Sequence, residues 1–483
     1  MKKVIYSLLT ASLLVFSACS DWLDVAPSTE KDRDDLIETE DGFKQMLYGT
    51  YINMINPSLY GHQLTYGMFE GLARNYVWTP IQNYNYLSTD IRPTIDAIWS
   101  TSYNNIANVN SILKDLEARK SLFSDGEGDI LEAEALTMRA FTHFDLLRIF
   151  APAYTGNEKT ISIPYVETYE RVRYPHLTEE NVVKKIFTDL DQAEKLFIDG
   201  GDPILSDRTI TSSGKGDFLA NRQYRFNYWA VQALKARVYM YINNKSEALK
   251  YAMKVIEEGP FEWVDASVLT GDYADRVFTS ELICALNVPK LSTYYDTYFT
   301  SEKYSLSDGW GIYGLSVFED SNDYRYLYLL KNDKKNNKVI SSKYDQKPHF
   351  TSTLMKETVP LIRLGEMYLI AAECNITQEP GEAIRLLREL KLHRGYLSAD
   401  KGIAADASET QLMEYVRKET RKETYAEGQT FFMYKRLKLN AIPEFSPWSS
   451  SMTTQMKPEY YTLPLPEDEK EYGNIPSSSQ TGN

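Results

Sequence analysis

The stretch Ala233–Pro260, ALKARVYMYINNKSEALKYAMKVIEEGP, reads as a pair of helices. Ala236, Tyr239, Ala248 and Pro260 fall at the small, aromatic, small and helix-ending positions of a 34-residue helical unit. Small residues at these points let two helices approach closely. A second stretch, Leu369–Gly395, LIAAECNITQEPGEAIRLLRELKLHRG, has Ala371 and Ala383 at the two small positions, with Leu387 and Leu390 following.

Helical periodicity extends well beyond these two pairs. Trp99, Tyr103, Ile106, Val109, Leu113 and Leu116 recur at spacings of three and four, as do Val182, Ile186, Leu190, Ala193 and Phe197. Trp229, Ala233, Ala236 and Met240 make another apolar stripe, and Leu361, Leu364, Tyr368 and Ala371 another. Ser408 with Gln411 spells a capping box at the start of a helix running towards Arg421. Strand signals are few and short, as in LICALNV. The expected fold class is therefore all-α, with tetratricopeptide-like helix pairs as its scaffold. Such units are expected over about 96–150, 178–260 and 355–440. They are not tandem, because over 100 residues separate the two clearest pairs.

Two stretches differ in composition. Residues 57–95 and 291–350 are rich in Tyr, Asn, Asp, Ser and Gly and show little periodicity. They read as irregular loops inserted in a helical frame, the usual place for binding residues.

The opening residues read as a signal peptide over 1–18: Lys2 and Lys3, an apolar run from Val4 to Phe16, then small Ser17 and Ala18. Cys19 follows directly, an arrangement that resembles the bacterial lipobox, with Phe16 where Leu is usual. Lipidation of Cys19 would anchor the chain, since each buried acyl CH₂ contributes about 0.8 kcal/mol. Residues 19–35 mix charge, Pro and Ser and suit a solvated tether, leaving 36–483 as the folded domain. Without Lys2 and Lys3, 51 basic residues face 67 acidic ones, a net charge of −16. That balance disfavours nucleic acid as a partner. Cys284 and Cys374 sit among apolar neighbours; they could form one disulfide, and two buried free thiols is the preferred reading.

No pattern of catalysis emerges. GWGIYG, Gly309–Gly314, formally spells a dinucleotide fingerprint but lacks the preceding strand and carries bulky Trp310 and Tyr313. The five histidines have no metal-ligand spacing, and no nucleophile elbow or phosphate loop occurs. Neither a cofactor nor a metal is expected. Tyrosine is abundant instead: 36, against 19 Phe and 7 Trp. A Tyr or Trp ring offers a flat apolar face with a polar tip, matching a sugar ring. One such stack buries about 50 Å² and contributes on the order of 1 kcal/mol. Several in a row reach useful affinity on a polymer.

Further motifs resemble those of the SusD/RagB family, the starch-utilisation-system D group of nutrient-binding lipoproteins. DWLDVAPST is similar to the family's start, with Asp21, Leu23, Asp24 and Pro27 matching, and Gly49-x-Tyr51 follows. Trp99, Tyr103, Ile106 and Asn110 match next, then Glu134, Arg139, Ala140, Phe144, Asp145 and Leu146 in LEAEALTMRAFTHFDLLRIFAPAY. Asp323–Arg325, LIRLGEMYLIAAEC, and Glu419, Arg421, Glu423, Glu427, Gly428, Phe431 and Arg436 continue the series. Thr430 and Met433 stand where the family usually has Arg and Asp. The chain's end, YYTLPLPEDEKEYGNIPSSSQTGN, is similar to the family's terminus.

This resemblance implies a helical fold with four tetratricopeptide-like units beside a variable ligand-binding side. It implies no enzymatic activity, display on the outer membrane through a lipid anchor, and a SusC-like TonB-dependent transporter as partner. The expected glycan surface is Arg74, Asn75, Tyr76, Trp78, Tyr84 and Tyr86 from one stretch, with Tyr294, Tyr295, Trp310 and Tyr313 from the other. Rings would stack on sugars, while Arg74 and Asn75 would bond hydroxyls. Alternatives are a peptide or other nutrient binder of the same fold, a surface glycoside hydrolase with a pair of carboxylates, and a purely structural surface protein.

Overall fold

Short polar residues set the helix starts. In a computed structural model of the chain, the first long helix, α1 (Glu40–Met54), is capped by Thr39, whose hydroxyl accepts from the Gly42 amide. The structure describes residues 33–76, 79–81, 83–124, 126–156, 159–207, 218–271, 274–300, 317–333, 338–345, 356–398, 400–443 and 453–476. The signal peptide and Cys19 lie outside this set.

A five-residue helix, α2 (Met68–Leu72), precedes α3 (Arg92–Arg119) and α4 (Glu127–Phe150). At 28 residues, α3 runs about 42 Å. Strands β1 (Ile161–Pro164) and β2 (His176–Thr178) pair antiparallel before α5 (Glu179–Asp199). Next come α6 (Tyr228–Tyr241) and α7 (Lys245–Glu258), capped by Asn227 and Asn244. The chain continues through β3 (Leu282–Asn287), α8 (Leu291–Tyr295), α9 (Tyr324–Leu329), β4 (Leu330–Asp333) and β5 (Lys338–Ser341). It ends with β6 (Thr358–Arg363), α10 (Leu364–Asn375), α11 (Pro380–Leu392), α12 (Glu409–Glu423), α13 (Thr430–Arg436), β7 (Ala441–Pro443), β8 (Thr453–Gln455) and α14 (Glu467–Tyr472). The architecture is mostly helical, and the described strands form only two-stranded antiparallel sheets.

The periodic positions face inward. Val182, Ile186, Leu190, Ala193 and Phe197 of α5 are all buried, as are Trp99, Ile106, Val109 and Leu116 of α3. On α6 and α7, Ala236 and Ala248 are fully buried where the two helices pack together. Helix α10 packs on both α7 and α11, and α12 on α10. The capping box closes: the Gln411 amide donates to Ser408 Oγ, and Gln411 Oε1 accepts from the Ser408 amide. Helix α4 differs, because every residue from Ile130 to Phe150 is buried. With neighbours α3, α5 and α6 around it, no face remains for solvent.

The LICALN strand forms as β3 and pairs with β6, Ala285 opposite Pro360 and Asn287 opposite Thr358. Cys284 and Cys374 are both free and buried. The two stretches expected to be irregular are more ordered than their composition suggests. The first contains α2, and all five of its residues are buried. The second contains α8, extended by a wider helical turn over Asp296–Thr300, then α9 and the β4–β5 hairpin. Among the described residues, no helix is long and apolar enough to cross a membrane.

Candidate functional site

Arginines and carboxylates far apart in sequence meet in the interior. Glu423, at the end of α12, accepts from three guanidinium groups: Arg325 (3.0 Å), Arg363 (2.6 Å) and Arg394 (2.6 and 2.9 Å). Arg325 also holds Asp323 (2.7 and 3.0 Å) and Glu419 (2.7 Å), and Arg394 grips Glu281 at 2.6 and 2.7 Å. Lys343 and Arg363 share Glu427. Burial opposes ionisation of Glu423, yet the charges of Arg394, Arg363 and Arg325 outweigh it and hold this carboxyl well below the usual range. Gly365 leaves room for the cluster, since a Cβ there would sit 2.5 Å from Glu423 Oε1.

The central helix repeats the pattern. Glu134 accepts from the Tyr51 hydroxyl (2.7 Å) and from Arg222. Arg139 binds Asp189 through two 2.7 Å contacts and Asn110 at 2.9 Å. Asp145 holds Arg148 and the Tyr60 hydroxyl. At the chain's other end, Arg436 pairs with Glu373 and Arg237 with Glu366. These motif residues are satisfied by one another inside the protein, so their work is structural. Thr430, where an arginine is usual, instead shares a hydroxyl contact with Thr424 (3.1 Å).

The two tyrosine-rich stretches converge. His62 stacks on Tyr298 with centroids 3.7 Å apart and planes 13° from parallel. Tyr66 and Tyr76 both pack on Phe299, Tyr76 edge-on at 5.7 Å, and Tyr295 stacks against the same ring at 5.2 Å. Tyr344 adds a contact to Tyr66 at 5.1 Å. The junction thus joins residues 62–76 to residues 295–299 and 344.

Most of the expected glycan-contacting residues are placed inside this packing rather than on a surface, which corrects the expectation for them. Tyr76 is 1% and Tyr295 2% exposed, too little for either ring to meet a sugar face. The Tyr295 hydroxyl donates to the Ser341 carbonyl at 2.8 Å. Tyr84 stacks on Tyr460 at 4.7 Å, its hydroxyl donating to the Leu72 carbonyl, and the Arg74 guanidinium lies over its ring. Tyr86 donates to the Tyr460 carbonyl. Arg74 and Asn75 are buried too: the Asn75 carbonyl oxygen accepts from Arg421 at 2.8 Å, while its amide donates to Glu70 at 2.8 Å. Burial pushes the Glu70 carboxyl up to about 7. Tyr294 alone of the described candidates is half-buried. Trp78, Trp310 and Tyr313 lie outside the described residues.

Sequence reasoning missed Tyr298, also half-buried, and its partner His62. The signal was present in STYYDTYF: Tyr294 and Tyr298 share one helical spacing, and the buried Tyr295 and Phe299 share the alternate one. No group of described His, Cys, Asp or Glu residues is arranged to hold a metal ion.

Comparison with known proteins agrees with this architecture. Residues 21–240 match a family model described as "Starch-binding associating with outer membrane", and residues 299–475 match that of the "SusD family". A helical scaffold stitched by these motif pairs defines the class, and the chain belongs to the SusD/RagB family. A SusD-like protein P38 from Formosa agariphila is 20% identical over 87% of this chain and 88% of its own length. Among solved structures, a SusD superfamily protein from Bacteroides thetaiotaomicron has a TM-score of 0.68 at 21% identity, covering 91% of this chain and 99% of that one. A SusD-like carbohydrate binding protein from Bacteroides vulgatus has a TM-score of 0.67 at 17% identity, covering 90% and 97%.

Proposed function

We propose that this is a non-catalytic glycan-binding lipoprotein of the cell surface. It captures oligosaccharide and passes it to a SusC-like TonB-dependent transporter in the outer membrane, held there by a lipid on Cys19. The observation that carries the reading is the meeting of two tyrosine-rich stretches at one aromatic junction, on a scaffold whose ionic residues are already paired with one another. Family membership and the carbohydrate-binding relative support it.

In this reading Tyr76, Tyr84, Tyr86 and Tyr295 are the foundation, and the half-buried rings Tyr294 and Tyr298 sit at its rim. Trp78, Trp310 and Tyr313, expected from the sequence as ligand contacts, belong to the same proposal. Each ring lost removes on the order of 1 kcal/mol of stacking. Replacing Tyr294 and Tyr298 together by Ala should reduce retardation in polysaccharide-containing gels, and replacing Trp78 and Trp310 by Ala should abolish it. Migration equal to the unchanged protein in both variants, on a polysaccharide that retards the latter, would remove these rings from the site.

A further inference from the structure

A second surface has the chemistry of a saccharide site. The N-terminal half of α3, the segment after β1 and the C-terminal α14 enclose an open groove of about 990 Å³. Its accessible rings are half-buried Tyr103 from α3, half-buried Tyr174 from the segment before β2, and exposed Tyr472 from α14, with buried Trp99 packed behind Tyr103 at 4.8 Å. Tyr472 is 54% exposed, so its ring is accessible from solvent.

The walls are fixed before anything binds. The His176 amide donates to the Asn474 carbonyl at 3.0 Å, strapping the C-terminal segment to β2. The buried His176 ring lies 2.8 Å from Glu469 Oε1 and 2.7 Å from the Ser162 carbonyl. Arg92 donates to the Leu465 carbonyl at 2.8 Å. A pre-formed groove spares a ligand the cost of ordering it.

Charge decides the class of ligand. The groove is lined by carboxylates, but most already have partners within the chain. Asp96 lies 2.9 Å from Arg92 and Glu467 2.9 Å from Lys470, and Arg173 adds a positive charge to the lining. That compensation removes the excess negative field that would draw in a basic peptide. It leaves oriented carboxylate oxygens with spare lone pairs, good acceptors for neutral hydroxyl groups. Flat rings beside hydroxyl acceptors match a pyranose, with its C–H face and hydroxyl edge.

We infer that this groove binds a neutral oligosaccharide, independently of the aromatic junction. The test uses the full-length protein with Tyr472→Ala and Asp468→Asn combined, since both residues line the groove and both side chains are exposed. Calorimetric titration with maltohexaose, laminarihexaose, xylohexaose and mannohexaose is run on this variant, on Tyr294→Ala/Tyr298→Ala, and on the unchanged protein, with hexalysine as the cationic probe. One lost stack and one lost charged acceptor should weaken binding of a hexasaccharide about ten-fold in the groove variant. The component lost there should survive in the junction variant. Titrations of the groove variant that match the unchanged protein for all four sugars overturn the inference, as does groove-dependent binding of hexalysine alone. Failure of the junction reading looks different: the Tyr294/Tyr298 variant then binds like the unchanged protein whatever the groove does.

Discussion

Replacing Glu423 by Gln tests whether the shared motif residues act as scaffold. In the folded chain Oε1 accepts from Arg363 and Arg394, and Oε2 from Arg325 and Arg394, all fully or almost fully buried. The amide keeps one acceptor but turns an NH₂ towards guanidinium donors and removes the charge that offsets three cations. Breaking one partner of a buried ionic cluster costs about 3–5 kcal/mol, and the retained oxygen puts this change near the lower end. An unfolding entropy of about 2 cal/mol/K per residue gives about 1 kcal/mol/K for a chain this long, so the melting temperature should fall by about 3 °C. Glu319→Gln is the control: Glu319 pairs with Lys418 and Lys422 at a side chain that is 38% exposed, where a partner is worth under about 1 kcal/mol. Scanning calorimetry at pH 7 reads both. Oligosaccharide binding well below the transition should be unchanged. A Glu423→Gln shift no larger than the control's, or lost binding at full folding, would refute the assignment of these residues to structure.

Other outcomes follow from particular positions. His143 is buried between the Arg139 carbonyl, which accepts from Nδ1, and the Val166 amide, which donates to Nε2; burial lowers its imidazole to about 3. The unfolded chain takes up this proton near pH 6.5 and the folded chain only near pH 3, so stability present above pH 6.5 drains away as the pH falls through that window. Urea midpoints should show a steeper loss from pH 6.5 to 4.5 in the native protein than in His143→Gln, and parallel curves would contradict this. Gly428→Ala should prevent correct folding, because its φ is +75° and a Cβ would lie 2.0 Å from the Leu64 carbonyl oxygen; a soluble variant with a native melting temperature would contradict that. With the lipid proposed on Cys19 as the anchor, Cys19→Ala should abolish palmitate labelling, and a variant that still takes up the label would contradict it.

Amphipathic helices were legible because half-buried helices write their packing into the sequence: the α5 stripe from Val182 to Phe197 is buried throughout. Helix α4 has no such stripe, since it is buried on every side, and only the resemblance of its motif marked it out. The ion pairs were invisible to local reading. Arg394 and Glu281 stand 113 residues apart, and each alone looks like a solvated charge. Tyrosine misled for a related reason. Its ring buries as well as phenylalanine's once the hydroxyl finds a carbonyl, as Tyr84 does at Leu72 and Tyr295 at Ser341. Composition therefore located the two stretches that converge, while the choice between rim and foundation depended on helical phase within STYYDTYF.

Direct binding is the measurement that bears most on the whole account. The purified chain should be titrated calorimetrically against a broad panel of neutral polysaccharides, with each mixture then assayed for newly released reducing ends. Saturable heat with at least one polymer, and no reducing ends from any, is the expected result. Release of reducing ends that disappears with one carboxylate substitution, or a flat titration with every glycan alongside saturable heat with peptides, would contradict it.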